Sequence, residues 1–232
     1  MQVSLVTETF APDINGVAAT LDQLVAGLAD AGHGVQVIHP ENGDDAPPGA
    51  LVERVIVPGF RLPWYPQVHL GLPVMRRLAR AWDDCPPDVV HIATEGPLGW
   101  AALRMARRRG LPVTSSLHTN FHAYARHYGL SWFERPAMAY LRDFHGRTGL
   151  TLIPTRQQKS RLEAQGFADL TVLGRGVDAS LFHPGRRSPD LRRAWGAAED
   201  DIVVCCVSRL APEKNLDLFA RTVRAMQAVN PR

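Results

Sequence analysis

The sequence predicts an α/β fold built on a parallel sheet covered by helices on both faces. Three observations carry that expectation. Short apolar runs of strand length recur along the chain, amphipathic stretches of helical period lie between several of them, and glycine and proline punctuate the junctions. Strand, helix and strand in repetition is the pattern of a parallel sheet sandwiched between helices.

The strand candidates are 2–7, 34–39, 51–57, 88–92, 112–117, 150–154 and 170–173. Their nearly continuous apolar character is what a strand buried on both faces requires. The first helix is marked by Leu21, Leu24, Val25 and Leu28 at helical spacing, ahead of the stop Ala31-Gly32-His33-Gly34. Helices are expected at 71–83 and 97–109, closed by Pro86-Pro87 and by Gly110-Leu111-Pro112. In such sheets a ligand lies beyond the carboxyl ends of the strands, so the loops after the strands are where chemistry is sought.

The pattern changes after Val172. Gly174-Arg175-Gly176-Val177-Asp178 leads into Leu181-Phe182-His183-Pro184-Gly185 and a polar stretch. This region is expected to be a connector over 176–200 with one short helix at 189–195. Residues 201–207 read as a new buried strand and 216–229 as the helix after it. The expected organisation is thus a first domain at 1–175, the connector, and the first strand and helix of a second domain at 201–232. One such unit cannot cover its own apolar faces, so the second domain is expected to be incomplete and the chain truncated.

Composition narrows the class. With 232 residues, 45% hydrophobic and 21% charged, the chain has the make-up of a soluble globular protein. No run approaches the roughly 18 apolar residues of a membrane span, and the amino-terminal segment lacks the features of a secretion signal, so a cytoplasmic location is expected. Cys85 and the adjacent pair Cys205 and Cys206 form an odd set, which favours buried reduced thiols over disulfides. The net charge is +3, and Lys159 and Lys214 are the only lysines among 26 basic residues. Arginines cluster at Arg76, Arg77 and Arg80, and at Arg104, Arg107, Arg108 and Arg109, as they would on a solvated helix face or on a surface for anions.

The strand-end loops hold the candidate chemistry. After the first strand, Asn15-Gly16 makes a tight turn into a helix start, where a missing side chain lets a phosphate approach the free amides. The loop has no G-x-G-x-x-G, and no G-K-[ST] occurs anywhere, which argues against dinucleotide binding and P-loop hydrolysis. Glu95 stands between the fourth strand and the next helix, suited to a helix-end or a site role. Beyond the fifth strand, His118, Asn120, His122, Tyr124, His127 and Tyr128 gather as contacts for a hydroxyl-rich ligand. His118 and His122 lack an acidic third ligand at useful spacing, so no metal is assigned. Arg209 and Lys214 lie in the loop into the last helix, where both cations can meet one anion.

Taken together these segments resemble the family 4 retaining glycosyltransferases of the GT-B fold, and in particular bacterial GDP-mannose-dependent lipid α-mannosyltransferases. The likeness rests on Phe-Ala-Pro-Asp-Ile-Asn-Gly-Val at 10–17, His-Ile-Ala-Thr-Glu-Gly-Pro-Leu-Gly at 91–99, Leu-His-Thr-Asn-Phe at 117–121, Gly-Val-Asp at 176–178 and Ser-Arg-Leu-Ala-Pro-Glu-Lys-Asn at 208–215. The resemblance implies two Rossmann-like domains across a cleft and a nucleotide-sugar donor, GDP-mannose first. It places Gly16, Arg209 and Lys214 on the donor phosphates and His118 at the transferred sugar. Asp13, Asn15, Thr119, Asn120 and Tyr124 fall on the acceptor side. Asn15 departs from the glycine pair usual in the first loop.

The resemblance further implies front-face transfer of a hexose, with retention, to a lipid or glycan hydroxyl. Fixed cations and helix amides would carry the leaving-group charge without a metal or other cofactor. The paired glutamates of the family's second domain, E-x7-E, have no counterpart in the 232 residues, so the polypeptide alone is expected to be inactive. Two alternatives stay open at this point. One is an epimerase or phosphorylase on a similar scaffold. The other is a non-catalytic domain that docks on anionic lipid or nucleic acid, nucleic acid being the less expected. Trp64-Tyr65, Trp132-Phe133 and the arginine-rich helices would suit peripheral contact with the inner face of a membrane.

Overall fold

The computed structural model describes residues 1–41, 51–62, 65–118, 134–208, 210 and 212–229. The chain divides into two compact units, the first comprising Met1–Thr119 and Pro136–Arg175, the second including Gly176–Arg232.

In the first unit, seven strands form one sheet: β1 (Gln2–Val6), β2 (Gly34–Pro40), β3 (Val52–Val57), β6 (Val89–Ile92), β7 (Val113–Ser116), β8 (Leu150–Ile153) and β9 (Leu170–Val172). Their order is β3-β2-β1-β6-β7-β8-β9, with every pairing parallel. All seven expected strands are present, each shorter by a residue or two or shifted by one at an end. The helices are α1 (Gly16–Asp30), α2 (Met75–Asp84), α3 (Pro97–Arg108), α4 (Glu134–His145) and α5 (Arg156–Glu163). Connections run outward from the centre in both directions, so the order reverses between β1 and β6. That reversal opens a crevice at the carboxyl ends of these two strands.

Side-chain alternation divides the core between the faces. Leu5, Val35 and Val37 pack with Leu21 and Val25 of α1, while Val6 and Ile38 pack on the opposite face with Leu78, Trp82, Leu98 and Leu103 of α2 and α3. Trp82 is 1% exposed and its indole donates to Ser4 Oγ at 2.8 Å, which satisfies the polar atom of a large buried ring. A third cluster, with Leu141, Ile153, Leu162 and Phe167, joins α4 and α5 to the far end of the sheet.

In the first unit, two elements differ from expectation. Strands β4 (Gly59–Leu62) and β5 (Tyr65–Gly71) pair antiparallel, with a register shift between Arg61 and Leu62. Pro66 argues against a central strand, yet a two-stranded ribbon has only edges and tolerates it. The helix expected from residue 71 starts at Met75, because Gly71 still belongs to β5. Helix α4 carries Pro136 in its first turn, where amides have no helical acceptor to lose.

In the second unit, Pro184–Arg186 and Pro212–Lys214 are short 3-10 turns, and α6 (Pro189–Ala194) and α7 (Leu216–Val229) are helices. Arg192 Nη2 donates to the carbonyls of Ala198 and Asp201, both at 2.7 Å, which orders the segment after α6. The strand expected at 201–207 does not form: these residues join no ladder, and Ile202 and Val207 are 59% and 97% exposed. Apolar residues that find no neighbouring strand cannot make the pairing that defines one. Cys205 and Cys206 are accordingly exposed rather than buried, and Cys85 is half-buried; all three are free thiols. Among the described residues no helix is long and apolar enough to cross a membrane.

Candidate functional site

The loops at the carboxyl ends of β1, β6, β7 and β9 build the site. After β1, Thr9 Oγ1 donates to Asp13 Oδ2 at 2.6 Å and accepts from Asn15 Nδ2 at 2.8 Å. Asn15 Oδ1 accepts the amides of Val17 at 3.0 Å and Ala18 at 2.9 Å, so Asn15 is the N-cap of α1. Asp13 and Asn15 are thus engaged in shaping the loop that delivers Gly16 to the helix start. The Gly16 amide meets no acceptor among the described residues.

His118 follows β7. Burial, and then the positive charge of Arg175, pushes its imidazole down to about 4, so it is neutral at physiological pH. Its Nε2 is buried without a partner among the described residues. Arg175, in the loop after β9, donates from Nη2 to the His118 carbonyl at 3.4 Å. A methyl group on Gly16 would lie 3.5 Å from Arg175 Nη1. Through Arg175, therefore, Gly16, expected at the donor phosphate, and His118, expected at the transferred sugar, are brought to one place.

His91 on β6 lies beneath them, its Nδ1 2.9 Å from Thr114 Oγ1 and its Nε2 2.9 Å from Ser116 Oγ. Burial, with a smaller contribution from His118, holds it down to about 4. A neutral ring with one donor and one acceptor nitrogen satisfies both hydroxyls. Neither histidine is a cation at neutral pH.

Glu95 ends the β6 loop. Its carboxylate lies 3.0 Å from His145 Nε2, whose Nδ1 is 2.9 Å from Ser115 Oγ, which also meets Thr148 and Thr151. Glu95, His145 and Ser115 have the connectivity of a hydrolase triad. Ser115 is 0% exposed and His145 2%, so no substrate reaches the hydroxyl and the chain of bonds serves to fix the β6 loop against α4. Tyr140 Oη donates to the Glu95 carbonyl and accepts from Trp100 Nε1, closing the same tie.

Glu8 was not singled out from the sequence, and it occupies the crevice at the strand-order reversal. It is 5% exposed; its Oε1 accepts the Leu98 amide at 3.0 Å and its Oε2 accepts the Gly71 amide. Burial raises its carboxyl to about 7, and the amides of Gly71, Leu98 and Gly99 pull the other way. The one sequence signal was its place directly after the first strand, among loops where chemistry is expected. Glu8 joins the hairpin to the start of α3 through both carboxylate oxygens.

In the second unit, Lys214 is exposed in the turn before α7, where Asn215 Oδ1 accepts the Leu218 amide at 3.3 Å. Asp178 of Gly-Val-Asp closes a turn by accepting from the amides of Ser180 and Leu181 at 2.8 and 3.1 Å. Arg209, Thr119, Asn120 and Tyr124 lie outside the described residues, as do Trp64, Trp132 and Phe133.

The arginine-rich helices are unequal. Arg77 and Arg109 are tied to backbone carbonyls, and Arg109 also pairs with Asp83 at 3.0 Å. Arg104, Arg107 and Arg108 are exposed on one face of α3 and line a shallow groove with Trp100, Leu103 and Arg147. Arg147 sits 5.7 Å from the Trp100 ring and pairs with Asp143.

The model of Glycosyltransferase Family 4 matches residues 14–181. The chain is 35% identical over 228 residues to the GDP-mannose-dependent alpha-mannosyltransferase of Mycolicibacterium smegmatis, covering 95% of this chain and 59% of that protein. It is 26% identical over 240 residues to the alpha-monoglucosyldiacylglycerol synthase of Acholeplasma laidlawii, covering 93% and 57%. The chain therefore spans less than two thirds of the length of these relatives. Among solved structures, sucrose-phosphate synthase from Thermosynechococcus elongatus aligns with a TM-score of 0.62 at 13% identity, over 86% of this chain and 53% of that one. That likeness shows the α/β fold of the GT-B glycosyltransferases.

Proposed function

The chain belongs to Glycosyltransferase Family 4, and from that membership we propose that it forms the acceptor-side half, and the beginning of the donor-side half, of an enzyme that transfers mannose from GDP-mannose to a lipid hydroxyl with retention. The observation that carries the reading is the meeting of Gly16, His118 and Arg175 at the carboxyl end of the sheet. A neutral imidazole there can hold a sugar hydroxyl, while an amide and a guanidinium stabilise the charge that develops on the departing diphosphate. Only groups that interact more strongly with that developing charge than with the intact donor raise the rate. Lys214 and Arg209 are proposed to serve the same phosphates. No side chain is assigned as a nucleophile.

GDP-mannose is proposed because the mannosyltransferase relative is named for that donor, and a lipid acceptor because the Acholeplasma relative is named for a glycolipid product. Contact with an anionic membrane face is proposed through the α3 groove, where Trp100 and the exposed Arg104, Arg107 and Arg108 lie on one surface. We further propose that the 232 residues do not transfer sugar alone. The test is product analysis with labelled GDP-mannose and UDP-glucose. One arm uses the chain alone, the other the chain fused to the remaining carboxyl-terminal part of the Mycolicibacterium relative. The expected product of the fusion is an α-linked mannolipid, with none from the chain alone. A β-linked product, preference for UDP-glucose, or isomerisation of the donor without transfer counts against the proposal.

A further inference from the structure

Thr9 follows β1 at its carboxyl end, and no motif in the sequence singles it out. The structure makes it the hub of the loop that follows. Its backbone is set by Thr7, whose Oγ1 accepts the Thr9 amide at 3.2 Å and donates to the Thr9 carbonyl at 2.8 Å. Thr7 is 0% exposed, so this anchor is fixed in the core. The Thr9 hydroxyl then gives its single proton to Asp13 Oδ2 at 2.6 Å and accepts from Asn15 Nδ2 at 2.8 Å.

Burial does not hold the tip of this loop, because Ile14, between Asp13 and Asn15, is 104% exposed. Hydrogen bonds hold it instead. The Asp13 amide donates to the Phe10 carbonyl at 2.9 Å and the Asn15 amide to the Asp13 carbonyl at 3.2 Å, which fixes the path of the chain. Among the described residues the Thr9 hydroxyl alone fixes the Asp13 side chain. Asp13 is half-buried, its Oδ1 has no partner there, and no cationic side chain pairs with it. A carboxylate with one oxygen locked and the other open repels anions and accepts from a neutral O–H donor. Pro12 and Ile14, exposed on either side of Asp13, add apolar surface, which suits an alcohol carried on an apolar body.

We propose that Thr9 is a positioning residue for the acceptor: it turns Asp13 so that Oδ1 accepts a hydrogen bond from the hydroxyl of an amphiphilic alcohol. This rests on the sugar-transfer reading in taking that hydroxyl to be the one that receives the sugar. As a strut for the cap of α1, Thr9 needs the bond from Asn15 alone. The bond to Asp13 adds nothing to the cap, which Asn15 Oδ1 makes with the amides of Val17 and Ala18.

The test titrates the full chain with dihexanoylglycerol, which carries one free hydroxyl, and with its methyl ether, which carries none. The proteins are wild type, Thr9→Val, Thr9→Ser, Asp13→Ala and the double variant T9V/D13A, with binding followed by NMR at the Asp13 carboxyl carbon or the Asn15 side-chain amide. Wild type is expected to bind the alcohol about tenfold more tightly than the ether, as one hydrogen bond to a charged group implies. T9V keeps the shape, lacks the hydroxyl and should lose that preference, while T9S should retain it. D13A should lose it too, and T9V/D13A no further, as one residue acting through another requires. The Asn15 side-chain amide protons should exchange faster in T9V than in wild type, with or without ligand. A strut predicts instead a lower urea midpoint in T9V with the preference for the alcohol unchanged, and that result overturns the proposal. So does a wild type that binds alcohol and ether alike or binds neither. Should T9V not fold, D13A decides, since a preference equal to that of wild type overturns the proposal as well. Binding of an alcohol requires no sugar transfer, so failure of the mannosyltransferase reading leaves this result readable on its own.

Discussion

At the residue scale, burial sets the charge of Glu8, His91 and His118. Glu8 is the clearest case. Its carboxyl, raised to about 7 from an ordinary 4.5, binds a proton more tightly folded than unfolded. Its contribution to stability is therefore full below about pH 4.5 and is lost as pH rises through 7, with a total swing of up to roughly 3 kcal/mol. Urea midpoints of wild type and Glu8→Gln from pH 4.5 to 8 should show wild type losing stability relative to the variant over that interval and no further divergence above it. Parallel curves would show that Glu8 carries the same charge folded and unfolded. His91 and His118 behave oppositely: held neutral by burial, they stabilise above their ordinary value of 6.5 and lose that contribution as pH falls toward 4. Both variants contain them, so their effect cancels in the comparison.

At the scale of elements, helix α3 must approach the sheet more closely than a side chain allows. A Cβ on Gly99 would overlap the Thr94 carbonyl oxygen and lie 3.1 Å from Ile92 Cγ2, and one on Gly96 would overlap the Glu8 carboxylate. Backbone cannot yield as a flexible side chain can, so Gly99→Ala is expected to cost about 2 kcal/mol or more in denaturant unfolding, despite alanine's better helix propensity. An unchanged midpoint would contradict the packing described. The parallel strands were legible because each is a continuous apolar run, and α7 was legible because its apolar spacing is clear without tertiary support. The hairpin was hidden by Pro66, which denies a central strand but not an edge. The stretch 201–207 misled for the converse reason: it has a strand's composition, but pairing is supplied by neighbours that sequence pattern alone does not provide.

At the scale of the molecule, local motifs and long-range convergence were unequally readable. Gly16 and His118 announce themselves through the turn at Asn15-Gly16 and the polar cluster after β7. Arg175 and Glu8 do not, because their roles arise only when loops distant in sequence meet at one end of the sheet. The α3 groove is similar, since Arg147 joins it from beyond α4. If that groove meets anionic membrane, replacing Arg104, Arg107 and Arg108 together with glutamine should abolish most vesicle binding in low salt and flatten its salt dependence, with the fold intact by circular dichroism. Vesicle binding that is salt-independent and unaffected by the triple change would exclude the groove.

The central claim is that the carboxyl end of this sheet is one wall of a sugar-transfer site with His118 at the transferred sugar. Its most direct test is the rate of mannose transfer from GDP-mannose by the fusion to the relative's carboxyl-terminal part, in wild type and His118→Ala. The account predicts transfer by the first and a loss of roughly a hundredfold or more in kcat by the second, with folding retained, as removal of a transition-state contact implies. Equal rates in the two folded proteins would contradict it.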